Sequence, residues 1–446
     1  MLTAIVGINW GDEGKGRMVD LLSEGYDIIC RYQGGNNAGH TVVNEKGKFI
    51  LNLLPSGILR DNVVNVMGNG MVIDIEHLCG EIAGLHEKGI EVTPKNLKIS
   101  DKAFICLPYH KQQDILEEER LGDQKYGSTK RGIAPVYGDK YMKKGLRILD
   151  LLSPDTLEQK LARIIAWKNL TLNGYRTTTA ARKKITDAAS IIQTASQYEA
   201  DLLRVLSWLF EYREMLLPFI ADTTEYLGKS VRAGKKILFE AQLGALRDID
   251  YGIYPYTTSS QTLAAYAPIG AGIPGVKLDH VIGVMKAYSS CVGEGPFAVE
   301  MSGDEAAALR ETGAEYGAAT GRPRRVGAFD IPASRYGVMT QGADEIALTK
   351  LDVLSYLDKI PVCVAYEIDG VKTDHFPSGD RLLKAKPVYE YMEGFKTDIS
   401  KCRKTEELPG AALDYIRFIE NGVGCPVKYV SVGAGREDYL VMNGTV

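Results

Sequence analysis

The chain has 446 residues, 45% hydrophobic and 25% charged, with a formal net charge of −4 from 53 basic and 57 acidic side chains. That balance fits one large domain or two with a sizeable core and excludes a global pull towards nucleic acid or an anionic membrane, so any anion site must be local. Seven cysteines without CxxC spacing argue against a disulfide framework or zinc centre and for a reducing compartment; with no basic-then-apolar leader and no apolar run of about 18 residues, the expected setting is the cytoplasm.

The first predicted element is a strand, Thr3 to Ile8, running into Gly7-Ile8-Asn9-Trp10-Gly11-Asp12-Glu13-Gly14-Lys15-Gly16-Arg17 and then a helical pattern with Met18, Val19, Leu21 and Leu22. A Gly-rich turn with a lysine between a strand and a helix N-terminus suits nucleotide phosphates, because backbone N–H groups, the helix end and the lysine all favour negative charge. The turn departs from G-x-x-x-x-G-K-[ST]. Asn9 stands at the first glycine, Gly16 at the magnesium-binding hydroxyl, and Asp12 places a carboxylate inside the loop, which suggests chemistry beside the phosphates. A tight strand-to-helix connection would use the same glycines, so the rest of the chain has to decide.

Further strands are predicted at Asp27 to Tyr32, Phe49 to Leu54, Val63 to Met67, Lys236 to Phe239, Val281 to Met285, Glu345 to Thr349, Val362 to Tyr366 and Tyr429 to Val432. They alternate with helical patterns such as Ile75 to Glu87 and Ala411 to Glu420. This is the pattern of an α/β fold with a large, mostly parallel central sheet flanked by helices, whose ligands sit beyond the carboxyl ends of the strands. From about Pro154 to Arg232, the helical spacing of Leu202, Leu206, Leu209 and Phe210 predicts a helical subdomain inserted in the sheet domain.

Five loops carry candidate chemistry. Gln33-Gly34-Gly35-Asn36-Asn37-Ala38-Gly39-His40-Thr41 follows a strand and sets a histidine among turn residues, where it is either structural or catalytic. Gly127-Ser128-Thr129-Lys130-Arg131-Gly132-Ile133-Ala134-Pro135 suits a second phosphate, or is a solvated loop. Tyr256-Thr257-Thr258-Ser259-Ser260 is expected to open a helix, where hydroxyls serve as caps. Thr320-Gly321-Arg322-Pro323-Arg324-Arg325 gathers three guanidiniums, whose forks suit a dicarboxylate. Thr349-Lys350-Leu351-Asp352, at a strand end, has the x-K-x-D form used for guanine: the carboxylate accepts two ring hydrogens while the lysine stem covers the base.

At this point the chain resembles the adenylosuccinate synthetase family. The resemblance runs through Trp10-Gly11-Asp12-Glu13-Gly14-Lys15-Gly16, Arg31-Tyr32-Gln33-Gly34-Gly35, Asn37-Ala38-Gly39-His40-Thr41, Pro55-Ser56-Gly57-Ile58-Leu59, Arg131-Gly132-Ile133, Asp248-Ile249-Asp250, Tyr254-Pro255-Tyr256, Lys286-Ala287-Tyr288, Thr320-Gly321-Arg322 and Thr349-Lys350-Leu351-Asp352. It implies a single domain over residues 1–446 with a P-loop GTPase-like topology, a mainly helical insertion subdomain over 105–232, and a homodimer. It implies GTP-dependent ligation of L-aspartate to inosine 5'-monophosphate (IMP) through a 6-phosphoryl intermediate, giving adenylosuccinate, GDP and phosphate, the first committed step of AMP synthesis.

By the same resemblance Asp12, His40 and Lys15 are catalytic, and Asp12 with the carbonyl of Gly39 ligates one Mg2+ per subunit. GTP would meet Gly14, Lys15, Gly16, Gly39, His40, Thr41, Lys350, Asp352, Ser431 and Gly433. IMP would meet Asp12, Asn37, Thr129, Gln242, Leu243, Thr258, Val292 and Arg322, with Arg147 reaching in from the other subunit; aspartate would meet Thr320, Arg322 and Arg324. The chain departs from the family at Phe239-Glu240-Ala241-Gln242-Leu243-Gly244, where F-E-G-A-Q-G is usual and the Gln contacts the purine oxygen. Either Gln242 substitutes after a backbone shift or that contact comes from elsewhere. Asn36, Ala319 and Pro323 are further departures. Two other readings fit part of the pattern: a GTP-binding switch without ligase activity, and the same ligase chemistry on another purine monophosphate such as GMP.

Overall fold

The structure, a computed structural model, describes residues 1–44, 46–183, 199–317 and 321–442, and over 176–183 the backbone alone. Every residue of the strand Leu2–Gly7 is buried. Ala4 and Val6 pack with Ile28, Phe239 and Ala264 on one side, while Ile5 packs with Met18 and Val19 on the other. A strand apolar on both faces belongs in the middle of a parallel sheet covered twice. Leu2–Gly7 accordingly lies between Ile237–Gly244 and His280–Lys286, in parallel with both. Among the described residues the sheet has ten strands, in the order Tyr439–Val441, Val427–Ser431, Glu345–Thr349, His280–Lys286, Leu2–Gly7, Ile237–Gly244, Ile28–Arg31, Val64–Met67, Leu97–Ser100, Ile220–Ala221. Only the Tyr439–Val441 pairing is antiparallel.

Two predicted strands fall outside this sheet. Gly47–Leu51 pairs antiparallel with His40–Asn44, and its hairpin buries Val42, Phe49 and Leu51 while exposing Val43 and Ile50, the one-sided pattern of a hairpin lying on a core. Lys359–Ile368 holds a second, smaller sheet with Phe329–Asp330, Val371–Thr373 and Lys386–Glu393. The Thr257 to Ser260 segment is not a helix start: the first helical turn after it is Ala264–Tyr266. Long-range partners hold it instead, the Thr258 N–H donating to the Arg247 carbonyl at 2.9 Å and the Ser260 hydroxyl to Gln33 Oε1 at 2.8 Å. Between Phe104–Ile105 and Ile237–Gly244 run the helices Pro108–Leu121, Ile133–Tyr141, Pro154–Lys183, Leu202–Leu216 and Thr223–Arg232, interrupted by the edge strand Ile220–Ala221. Leu209 is buried there beside Leu161 and Leu172, whereas Phe210 is exposed. All seven cysteines are free thiols. Among the described residues no helix is long and apolar enough to cross a membrane.

His110, at the start of the helix Pro108–Leu121, anchors this helical region. Its Nδ1 accepts from the Leu107 N–H and its Nε2 donates to Asp139 Oδ2, both at 2.9 Å, which fixes a neutral ring. Burial pushes its pKa from 6.5 down to about 4. Between those values the unfolded chain binds a proton that the native chain refuses, so stability falls as pH drops through that window. Thermal melts from pH 7 to 4 are expected to show a shallower loss for His110→Gln than for the natural protein; parallel curves would contradict this.

Candidate active site

The loop after Leu2–Gly7 winds around Glu13. This buried carboxylate accepts the Gly11 N–H at 2.7 Å and the Asn9 N–H at 3.3 Å, and it receives Lys15 Nζ at 2.5 Å. Asp12 (φ 57°) and the helix N-cap Gly14 (φ 100°) are left-handed; Asp tolerates that region and Gly is free in it. Gly16 is small for a second reason: a Cβ there would sit 2.4 Å from the Cβ of His40. The hydroxyl residue of an ordinary phosphate loop would therefore displace His40 from the helix N-terminus. Asp12 Oδ2 meets a guanidinium nitrogen of Arg324 at 3.0 Å. The loop's lysine is thus paired with Glu13 and its carboxylate Asp12 with Arg324.

His40 is buried, and its Nδ1 hydrogen-bonds Glu240 Oε1. Glu240 also accepts the Ser56 N–H and hydroxyl, both at 2.7 Å. Burial and the nearby Arg31 hold the imidazole below its usual pKa, against the pull of Glu240. Burial opposes the charge on Glu240, yet its bonds to His40 and Ser56 and the field of Arg31 keep the carboxyl below its ordinary range. Glu240 thus accepts from the Nδ1–H and leaves Nε2 as the ring atom available to a ligand.

The arginine loop closes on itself through Gly317 N–H to the Arg322 carbonyl and Arg324 N–H to the Glu315 carbonyl, both at 2.8 Å. This sets Arg324 beside Glu315, a buried carboxylate that also receives Lys286 at 2.7 and 2.8 Å and the Tyr288 hydroxyl at 2.6 Å. Lys350 (φ 60°) follows the strand Glu345–Thr349, and its Nζ lies 3.3 Å from Glu315. Two residues on, Asp352 Oδ1 is buried without a partner among the described residues, and burial raises its carboxyl pKa. An orphaned acceptor of this kind marks a place for donors that a ligand would bring. Ser431 and Gly433 are tied to the phosphate helix by Arg17, which donates to the Ser431 hydroxyl at 3.0 Å and the Gly433 carbonyl at 2.6 Å and stacks on the Tyr439 ring at 4.4 Å.

The other predicted residues are more scattered. Thr258 Oγ1 is buried and has no partner among the described residues. Asn37 accepts the Gly35 N–H at 3.2 Å; Gly39 and Thr41 are half-buried on either side of His40. Thr129 is exposed on a loop clamped by Asp114, which accepts from Ser128 at 2.6 Å and the Gly132 N–H at 2.8 Å. Val292 is exposed, and its carbonyl accepts from Arg247 at 2.5 Å. Arg322 is exposed. Arg147 is exposed with its guanidinium 5.3 Å from the Phe104 ring centre. Thr320 and Ala319 lie outside the described residues. Gln242 is fully buried and turned towards the Gly34 loop, donating to the Gly35 carbonyl at 2.9 Å, and Leu243 (φ 59°) lies against Gly11. Glu13, Glu240 and Glu315 were absent from the predicted site. The first two sit inside motifs read for other residues, and nothing around Glu315 in the sequence sets it apart.

A mostly parallel sheet whose first strand ends in a lysine loop at a helix N-terminus, with an orphaned carboxylate beyond the strand two places away, defines an α/β protein with the features of a nucleotide-binding site. The family model for adenylosuccinate synthetase matches residues 4–440. The chain belongs to the adenylosuccinate synthetase family. It is 42% identical over 442 residues to the adenylosuccinate synthetase of Caldanaerobacter subterraneus subsp. tengcongensis, covering 99% of each chain. It is 43% identical over 443 residues to that of Synechococcus elongatus, covering 99% of this chain and 95% of the relative. The fully ligated adenylosuccinate synthetase of Plasmodium falciparum superposes with a TM-score of 0.88 at 37% identity, over 99% of this chain and 100% of that one.

Proposed function

We propose that this chain carries out its family's reaction, the GTP-dependent ligation of L-aspartate to IMP giving adenylosuccinate, GDP and phosphate, with the residues in the following roles. The observation that carries the reading is the pairing of Asp12 with Arg324 at 3.0 Å at the lip of the phosphate loop, which puts a base and a dicarboxylate receptor side by side. The purine O6 is a poor leaving group until it is phosphorylated. Asp12 takes the N1 proton, O6 attacks the γ-phosphorus of GTP, and GDP departs. The aspartate amine then attacks C6 and the C6–O bond breaks, releasing phosphate. Lys15, released from Glu13, and His40, oriented by Glu240, bear the charge of the transferring phosphoryl group.

Thr320, Arg322 and Arg324 hold aspartate; Asn37, Thr129, Thr258, Val292 and Arg322 hold the monophosphate and its sugar. Asp352, Lys350, Ser431 and Gly433 frame guanine. Gln242 donates to the Gly35 carbonyl, which supports a contact to O6 from another group over a substitution by Gln242. Asp12 and the Gly39 carbonyl would hold Mg2+, a hard ion that takes few protein oxygens and completes its shell with phosphates and water, and the ion would supply charge neutralisation for the phosphoryl group. The homodimer, with Arg147 acting in trans from an exposed position, the helical subdomain over 105–232 and a cytoplasmic setting belong to the same proposal. The assay expected to bear it out is phosphate release that requires GTP, IMP and aspartate together. Release with GTP alone would favour the switch reading, and release with GMP in place of IMP the other ligase reading.

A further inference from the structure

We propose that Glu315 is a positioning residue that couples the guanine pocket to the aspartate pocket, an inference that rests on the functional reading above. Its side chain is fully buried. Oε1 accepts from Lys286 at 2.7 Å and Tyr288 at 2.6 Å and lies 3.3 Å from Lys350; Oε2 accepts from Lys286 and Arg324, each at 2.8 Å. The second nitrogen of Arg324 rests on Asp12 at 3.0 Å. One carboxylate therefore touches the lysine of the guanine pocket and the arginine of the aspartate pocket, and through that arginine it reaches the general base.

The charges explain why such a hub is needed. Lys286, Arg324 and Lys350 are three cations gathered on a single anion, and without it they repel one another in a poorly solvated interior. The same charges set the pKa values: burial, with Arg324 and Lys350 nearby, brings Lys286 down to about 8, while the three cations outweigh burial and hold Glu315 well below the usual carboxylate range. Tyr288 fixes the carboxylate from behind, so its rotamer is shared by everything it holds. A nucleotide that holds Lys350 against this fixed carboxylate sets the charge and position that Arg324 meets, and aspartate binding to Arg324 does the same for Lys350. The two cations share one acceptor, which makes the coupling positive and reciprocal.

The test is steady-state kinetics on the full chain. In the natural protein the KM for aspartate is expected to fall about 5-fold between limiting and saturating GTP, at the low end of typical coupling factors. In Glu315→Gln the KM values for aspartate and for GTP should rise together by about 10-fold, with the KM for IMP within about 2-fold of normal and the GTP dependence of the aspartate KM abolished. Glu315→Asp should restore part of the coupling. A merely structural role would lower kcat and leave the coupling ratio intact, which overturns the proposal. Should Glu315→Gln fail to fold, Tyr288→Phe carries the test, since it removes one donor and keeps the charge. It is expected to reduce the coupling ratio, and a full ratio in a folded Tyr288→Phe protein overturns the proposal. No turnover of GTP, IMP and aspartate by the natural protein overturns the functional reading itself, whereas turnover with independent KM values overturns only the coupling.

Discussion

Asp12→Asn is expected to lower kcat by at least about 100-fold, the usual contribution of a positioned general base. Asparagine is the right replacement because residue 12 sits at φ 57°, a region Asn enters about as readily as Asp and Ala does not; the loop keeps its shape and loses the base, its charge and the carboxylate proposed for Mg2+. Arg324 loses its partner in the same change and turns wholly to Glu315 and the substrate. The KM for aspartate should therefore stay level or fall while kcat collapses. Turnover across a range of aspartate concentrations at saturating GTP and IMP, with a melting curve to verify folding, measures both. Near-normal kcat would remove Asp12 from the chemistry.

Asp352→Asn is expected to raise the KM for GTP by about 100-fold or more, because a site built to accept two hydrogens rejects a ligand whose donors it leaves unpaired. Asp352 Oδ1 is buried and has no partner among the described residues, which leaves it free to accept from a base. The variant should accept xanthosine triphosphate in compensation, since an amide donates to the 2-carbonyl that replaces the guanine amino group. Competition between the two triphosphates reads the exchange directly. Equal use of ATP and GTP by the natural protein would contradict the guanine assignment.

The parts of this account that were legible in the sequence are those with a local signature. The strand Leu2–Gly7 announces itself by being apolar at every position but one, and Lys350 and Asp352 by their spacing at a strand end. Pairing partners are not local. Phe49 to Leu54 reads as a strand in either setting, and only the hairpin with His40–Asn44 shows that it lies off the main sheet. The two-residue edge strand Ile220–Ala221 is too short for any period to show. Thr257 to Ser260 has the residue types of helix caps, but its partners are Arg247 for the Thr258 N–H and Gln33 for the Ser260 hydroxyl, neither of them local. The buried carboxylates were hardest to foresee: Glu240 and Glu315 act by what the fold brings to them, 200 residues away in the case of His40.

The most direct measurement uses IMP carrying 18O at the 6-position, incubated with GTP, aspartate and the protein, with the released phosphate examined by mass spectrometry. Activation of O6 by phosphorylation followed by displacement at C6 predicts one 18O atom in each phosphate released, and release only when all three substrates are present. Unlabelled phosphate, with the 18O retained in the purine or lost to water, would contradict the proposed reaction.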